Sequence, residues 1–200
     1  MFLENPVNAQ SQHGWIEVVT GSMFSGKTEE LIRRMKRAKI ARQHILIFKP
    51  AFDDRYSKEK VISHDANEIP STPVSDVEKI PALAEEYTVV GVDEAQFFDP
   101  KIVEICSTLA DQGKRVIVAG LDMDFQGKPF GPMPQLMAIA EYVTKVHAVC
   151  MRCGALAQFS HRLSADDELV LLGEKDKYEP LCRKCYHEIR YPNKEIVNHD

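Results

Sequence analysis

Trp15-Ile-Glu-Val-Val-Thr20 runs directly into Gly21-Ser-Met-Phe-Ser-Gly26-Lys27-Thr28. An apolar run gives way to a glycine-framed loop closing on lysine and threonine. The loop fills every position of the phosphate-loop pattern G-x-x-x-x-G-K-[ST]. Its glycines let backbone N–H groups wrap phosphate oxygens, and the N-terminus of the helix that follows adds positive partial charge. In that chemistry Lys27 neutralises the outer phosphates and the Thr28 hydroxyl ligates Mg²⁺. Ser22, Met23, Phe24 and Ser25 supply the wrapping backbone. The competing reading is a glycine-rich turn with an exposed lysine, and the strand before it and helix after it argue against that.

Outward from this loop, short apolar runs alternate with helical stretches. Residues 28–42 read as a helix, with Leu31, Ile32, Met35 and Ala38 at helical spacing and an outer face rich in Arg and Lys. Residues 45–48 read as a buried strand, 51–74 as a long loop with room for a hairpin, and 76–86 as a helix interrupted near Pro81. Strands at 88–92 and 115–119 flank a helix at 100–112, and a glycine- and proline-rich loop covers 121–132. A helix around 134–142 leads to a last strand through 143–149. Strands with little alternation, each followed by a helix, indicate a mostly parallel sheet covered on both faces. The composition changes near residue 148, so three segments are expected: a polar tail at 1–13, an ATP-binding α/β domain at 14–148 and a zinc-binding domain at 149–200.

The strand at 88–92 ends in Asp93-Glu94. In phosphate-loop proteins an acid here completes the Mg²⁺ site, which suits Asp93, while Glu94 suits proton abstraction from an attacking oxygen. Asp53 and Arg55 follow the second strand at the edge where α/β sheets place ligands. Arg55 suits an internal cation for a transferring phosphoryl group, and Asp53 a hold on Mg²⁺-bound water. A solvated charged loop explains both equally well.

Five cysteines comprise two C-x-x-C pairs, Cys150/Cys153 and Cys182/Cys185, with Cys106 alone. Two disjoint pairs arise by accident in about one such chain in two hundred, and an odd count fits a disulfide framework poorly. Four thiolates suit a closed, structural tetrahedral Zn²⁺ site, with His147, His161 and His187 as nearby competitors. Twenty-five Lys plus Arg against thirty Asp plus Glu gives −5, which argues against a protein that coats phosphate backbones. No apolar run approaches the roughly eighteen residues of a membrane span. Residues 1–13 lack the basic start and apolar stretch of a secretory signal, so a cytoplasmic protein is expected. Phe125, Phe130 and Tyr178 either stack on a flat ring or pack. Met23, inside the phosphate loop, is placed to touch a substrate or the core.

GSMFSGKT (21–28), KPAFDDRY (49–56), VDEAQFF (92–98), GLDMDFQGKPFG (120–131) and the two C-x-x-C pairs, taken together, resemble type II thymidine kinase, the zinc-containing kind. The resemblance covers about residues 14–191. It implies a RecA-like phosphate-loop sheet flanked by helices, plus a small zinc domain carrying a lasso loop over the nucleoside. It implies transfer of the γ-phosphoryl group of ATP to the 5′-hydroxyl of thymidine, feedback inhibition by thymidine triphosphate, and a homotetramer. Position by position, it makes Glu94 the general base, residues 21–28 the ATP loop, and Asp93, Glu94, Ala95 and Gln96 a second ATP/Mg²⁺ segment. Met23, Leu121, Phe125, Phe130, Ser160, Leu171, Gly173 and Tyr178 would surround thymine and ribose, with Ser160 standing where a threonine is frequent. Two rivals remain: a RecA-like ATPase with Glu94 activating water, and a zinc-ribbon binding module. The ATPase would normally add a second core and a basic surface, which 200 residues at −5 leave little room for. The module explains only the C-terminal part.

Overall fold

The computed structural model describes residues 13–51, 60–62, 68–163 and 177–191. In chain order the elements are β1 Trp15–Thr20, α1 Lys27–Ile40, β2 Ile45–Pro50, β3 Lys60–Ile62, β4 Glu68–Pro70 and β5 Thr72–Val74. Then come α2 Ile80–Leu83, β6 Val89–Val92, α3 Ile102–Asp111, β7 Arg115–Gly120, α4 Met133–Ile139 and β8 Tyr142–Lys145. The cysteine-rich end holds β9 Ala148–Val149, β10 Leu156–Ala157, β11 Phe159–Arg162, β12 Tyr178–Leu181 and α5 Arg183–Arg190. One six-stranded sheet in the order β5-β2-β6-β7-β1-β8 organises the molecule. All five of its strand pairs are parallel. One strand, β7, lies between β1, which carries the phosphate loop, and β6, which ends at Asp93.

The central strands are buried on both faces, and their period of two sends side chains alternately to two cores. Val116 and Val118 of β7 join Ile16, Val18, Val90 and Val92 in the cluster with Ile105, Leu109 and Leu136 of α3 and α4. Ile117 and Ala119 face the other way, with Leu31, Ile32, Met35 and Ala38 of α1 and Ile47 of β2. Each such aliphatic chain contributes about 1.5–3 kcal/mol on burial. Helix α1 carries Glu29 and Glu30 in its first turn and Arg37 and Lys39 in its last, complementing its dipole.

The expected basic outer face of α1 needs correction at Arg34, which has no exposure at all. Arg34 Nη1 donates to Glu17 at 2.8 Å, its Nε to Glu30 at 2.8 Å, and its Nη2 to the Thr144 hydroxyl at 3.0 Å. Arg115 Nε donates to the same Glu17 at 2.7 Å. Burial pushes the Glu17 carboxyl up, but Arg115, Trp15 and Arg34 more than offset it and leave it below the ordinary carboxylate value. A carboxyl so depressed stabilises the fold above the pH at which the unfolded group ionises, and that stability is lost as pH falls through its native value. Removing one partner of such a buried pair typically costs about 3–5 kcal/mol. The cluster therefore ties α1 to the first strand of the sheet.

Three other expectations shift. Within 51–74, the hairpin β3–β4 forms, and β5 adds an edge strand beside β2. Its Pro73 sits opposite Lys49, and an edge strand tolerates the missing donor. The interrupted helix at 76–86 is a 3-10 turn, Val77–Lys79, capped by Asp76, followed by α2 with Pro81 in its first turn. The single strand expected through 143–149 is two. β8 pairs with β1, whereas β9 turns away to pair with β10. Among the described residues, no helix is long and apolar enough to cross a membrane.

Candidate functional site

The C-terminal ends of β1, β6 and β7 deliver the candidate groups to one edge of the sheet. Gly21 has φ +149°, and a Cβ there would lie 2.1 Å from the Val146 carbonyl oxygen, so the loop turns against β8 only with glycine. Gly26 and Phe24 also adopt positive φ, 84° and 62°. Ser25 Oγ donates to the Ser22 carbonyl at 2.7 Å, and Lys27 Nζ donates to the same oxygen at 2.8 Å. The curled loop leads straight into α1, whose first-turn N–H groups open toward the same edge.

The Thr28 hydroxyl stands near enough to the Asp93 carboxylate to favour its charged form. Burial and the neighbouring Glu94 charge push the Asp93 carboxyl up to about 7, against the opposing pull of the Glu94 N–H, Lys27 and Thr28. Burial also pushes the Lys27 ammonium down, with Glu94, Asp93 and Asp122 pulling it back up. A hydroxyl and a carboxylate side by side form an all-oxygen donor set, which suits a hard cation such as Mg²⁺. Glu94 stands at φ 52°, a left-handed conformation unusual for its type, which re-aims its side chain at the strand end. Its Oε2 accepts from Gln96 Nε2, and Gln96 Oε1 accepts from the Leu121 N–H at 2.9 Å. Gln96, nearly fully buried, thus links the acid to the loop after β7. Ala95 is buried in the same turn.

The loop after β7 and the cysteine-rich end supply the second half of the site. Phe130 is buried and meets Phe97 edge-on, at 5.4 Å between ring centroids. Arg162 Cζ lies 3.8 Å from the Phe125 ring centroid, and its Nε and Nη2 both donate to the Tyr178 hydroxyl, at 3.1 and 2.7 Å. Ser160 Oγ accepts from the Met23 N–H at 2.9 Å, joining β11 directly to the phosphate loop. The structure therefore brings together Met23, Ser160 and the phosphate loop, and separately Phe125 and Tyr178 around Arg162. Asp53, Arg55, Leu171 and Gly173 lie outside the described residues.

Cys150, Cys153, Cys182 and Cys185 place their sulfurs all within 4.8 Å of one another, with Cys153 and Cys182 at 3.6 Å. Sulfurs about 2.3 Å from a tetrahedral zinc stand about 3.8 Å apart, so the donor set fits that metal. Two knuckles build it: β9 and β10 wrap Cys150 to Gly154, and Cys182 caps α5 by accepting from the Cys185 N–H. None of His147, His161 and His187 joins the cluster. Cys106 is buried in the sheet core, and burial pushes its thiol up to about 12, which makes it inert.

Sequence reasoning passed over Arg162, Asp122, Tyr186 and Arg190. Asp122 is buried, with Oδ2 2.6 Å from Lys145 Nζ. The signal for it was an acid just past the end of a buried strand, two residues beyond β7, akin to Asp93 directly after β6. Tyr186 directly follows a metal-type cysteine, a position that only the fold shows to face the Phe125 loop.

The sheet order and the loop at the end of β1 define a phosphate-loop nucleotide-binding protein of RecA-like type, with a four-cysteine cluster that could hold a metal attached. The family model "Thymidine kinase" matches residues 14–186. A thymidine kinase of Bacteroides thetaiotaomicron is 60% identical over 95% of this chain and 96% of its own. Those of Rhodothermus sp. and Porphyromonas gingivalis are 59% and 57% identical, covering 88% and 95% of this chain and 83% and 93% of theirs. Among solved structures, the genome packaging NTPase B204 from Sulfolobus turreted icosahedral virus 2 in complex with ATP-gammaS shows a loose likeness. Its TM-score is 0.44 at 18% identity, over 70% of this chain and 76% of that one. The chain belongs to the thymidine kinase family.

Proposed function

We propose that this protein transfers the γ-phosphoryl group of ATP to the 5′-hydroxyl of thymidine, giving thymidine monophosphate and ADP. The observation that carries the proposal is the family match over 14–186. The geometry supports it, because the phosphate loop, the Asp93-Glu94 pair and the bond between Ser160 and Met23 bring donor-side and nucleoside-side groups to one sheet edge.

In this reading the N–H groups of residues 21–28 hold the β- and γ-phosphates, and Lys27 moves from the Ser22 carbonyl onto phosphate oxygen. Thr28 and Asp93 would hold Mg²⁺, which when bound offsets charge on the β- and γ-oxygens. Glu94, oriented by Gln96, takes the proton of the 5′-hydroxyl as that oxygen forms its bond to the γ-phosphorus. The bond from the γ-phosphorus to the bridging oxygen breaks, and the electron pair leaves with ADP. Arg55 offers a cation to the transferring group, and Asp53 joins it at the metal side. Met23, Leu121, Phe125, Phe130, Ser160, Leu171, Gly173 and Tyr178 enclose the nucleoside. Zn²⁺ on the four cysteines is structural, since four thiolates leave no open position. We place the boundary between the ATP-binding and zinc-binding parts near 148, supported by β9 leaving the main sheet for β10. Reduced thiolate ligands suit the cytoplasm.

Thymidine triphosphate is expected to inhibit. Its base and sugar satisfy the nucleoside site while its phosphate tail reaches the loop, so one ligand engages both halves without losing a second set of translational freedom. Inhibition should be competitive with thymidine and sensitive to ATP, with cytidine triphosphate far weaker. Steady-state rates at varied thymidine and ATP check this. Inhibition that thymidine does not relieve, or equal inhibition by cytidine triphosphate, contradicts the bridging reading.

A further inference from the structure

Residues 124–128 form a tight turn that presents the Phe125 ring, and its attachments come mostly from the far end of the chain. Within the turn, Asp124 Oδ1 accepts from the N–H groups of Gln126 at 2.8 Å and Lys128 at 2.9 Å. The Gly127 N–H donates to the Asp124 carbonyl at 3.0 Å. Those bonds shape the turn but do not fix where it sits. Its outward carbonyls are caught by α5. Tyr186 Oη donates to the Phe125 carbonyl at 2.9 Å, and Arg190 Nη1, one turn further along, donates to the Gln126 carbonyl. Arg190 Nη1 also donates to Tyr186 Oη at 2.6 Å, which fixes the hydroxyl as donor toward Phe125.

The Tyr186 ring has little freedom. It stacks on Phe159 of β11, at 4.3 Å between centroids and 10° between planes. Gly127, at φ +75°, packs so closely on this pair that a Cβ would stand 3.3 Å from Phe159 and 3.4 Å from Tyr186 Oη. The helix itself is anchored at Cys182 and Cys185, and the Tyr186 N–H donates to the Cys182 carbonyl at 3.0 Å. A continuous set of contacts therefore runs from the four-cysteine site through the first turn of α5 to the backbone on both sides of Phe125. On the other side of that ring lies Arg162, itself bonded to Tyr178.

We propose that Tyr186, seconded by Arg190, is a positioning residue of the nucleoside site: its hydroxyl holds the Phe125 carbonyl so that the Phe125 ring stands at a fixed height beside Arg162 and Tyr178. This rests on the reading that Phe125 and Tyr178 border the nucleoside. A metal held by Cys150, Cys153, Cys182 and Cys185 would then support the nucleoside site through α5 as well as the fold. The Tyr186 ring belongs to the apolar cluster on which Phe24 packs, but its hydroxyl bonds to the Phe125 carbonyl and to Arg190 and to no atom of residues 21–28, so loss of the hydroxyl alone acts on the nucleoside side.

Tyr186→Phe isolates the hydroxyl, because the phenyl ring keeps the stack on Phe159. Two measurements are made on the full-length, zinc-loaded variant: steady-state kinetics, and amide hydrogen exchange. Loss of the bond to Phe125 and of the acceptor for Arg190 should raise the KM for thymidine roughly tenfold. The KM for ATP, kcat and the zinc content should stay within about twofold of the unaltered protein. Amide exchange should accelerate in 124–128 and stay unchanged in 21–28. Unchanged exchange in 124–128 overturns the proposal whatever the kinetics. Faster exchange there with an unchanged thymidine KM also overturns it, because the turn would be held by Tyr186 without serving the nucleoside. A rise in the ATP KM matching that for thymidine overturns it as well, since it signals general loosening. Failure of the functional reading looks different: the unaltered protein would show no thymidine-dependent turnover at all.

Discussion

Glu94→Gln is expected to lower turnover at least roughly a hundredfold while ATP binding stays close to normal. The amide keeps the size of the side chain and its place beside Gln96 but no longer takes a proton. Glu94 is held in a left-handed backbone conformation at the tip of β6, next to the buried Asp93. Such strain is maintained only where the surroundings over-determine it, and here the tether to Gln96 and from there to Leu121 does so. Lys27→Ala should differ in kind. The ammonium lies inside the phosphate loop, so its loss should weaken ATP binding and lower turnover together. Equilibrium ATP binding and single-turnover rates for both variants separate the two. Near-normal turnover in Glu94→Gln removes it as the base, and normal ATP binding in Lys27→Ala removes the lysine from the phosphate site.

Cys185→Ser is expected to lose the bound zinc and with it the order of α5, whereas Cys106→Ser should keep one zinc per chain. Structural zinc sites contribute on the order of 10 kcal/mol of folding free energy. Here the metal would join two knuckles that the chain separates by twenty-eight residues, and the small strands β9 to β12 lean on it. Their own core is modest: Ala148, Ala157, Phe159, Leu181 and Tyr186 around the cysteines. Metal analysis and thermal unfolding of both variants check this. Full zinc content in Cys185→Ser contradicts the four-thiolate assignment and turns attention to His187, two residues on. Zinc loss in Cys106→Ser contradicts it equally.

How far the sequence alone leads differs from element to element, for physical reasons. The phosphate loop and the strands β1, β2, β6 and β7 were legible because a buried parallel strand is a run of apolar residues and the loop is a fixed pattern with a mechanism. Arg34 was not. An arginine on a helix reads as surface until Glu17, seventeen residues away on β1, is seen to pair with it. The edge strand β5 hid behind Pro70 and Pro73, which signal loop in any strand whose N–H groups must pair. The split between β8 and β9 hid because residues 143–149 hold no glycine or proline to mark a break, and only tertiary pairing shows where one sheet ends.

The candidate site shows the same division. The donor half lies within two contiguous motifs, so residue types and spacing expose it. The nucleoside half is assembled from three distant segments, and Arg162, Tyr186 and Arg190 are ordinary surface-type residues until the fold brings them to Phe125. Gln96 was visible only as part of a motif. Its function as a bridge between Glu94 and Leu121 depends on β6 and β7 being neighbours in the sheet.

The most direct test of the central claim is ADP release from ATP and Mg²⁺, measured with and without thymidine, with the nucleoside product identified. The expected result is ADP formation that requires thymidine and matches thymidine monophosphate one for one. Release of ADP at the same rate without thymidine would contradict a kinase and favour an ATPase in which Glu94 activates water. No release under either condition would contradict both.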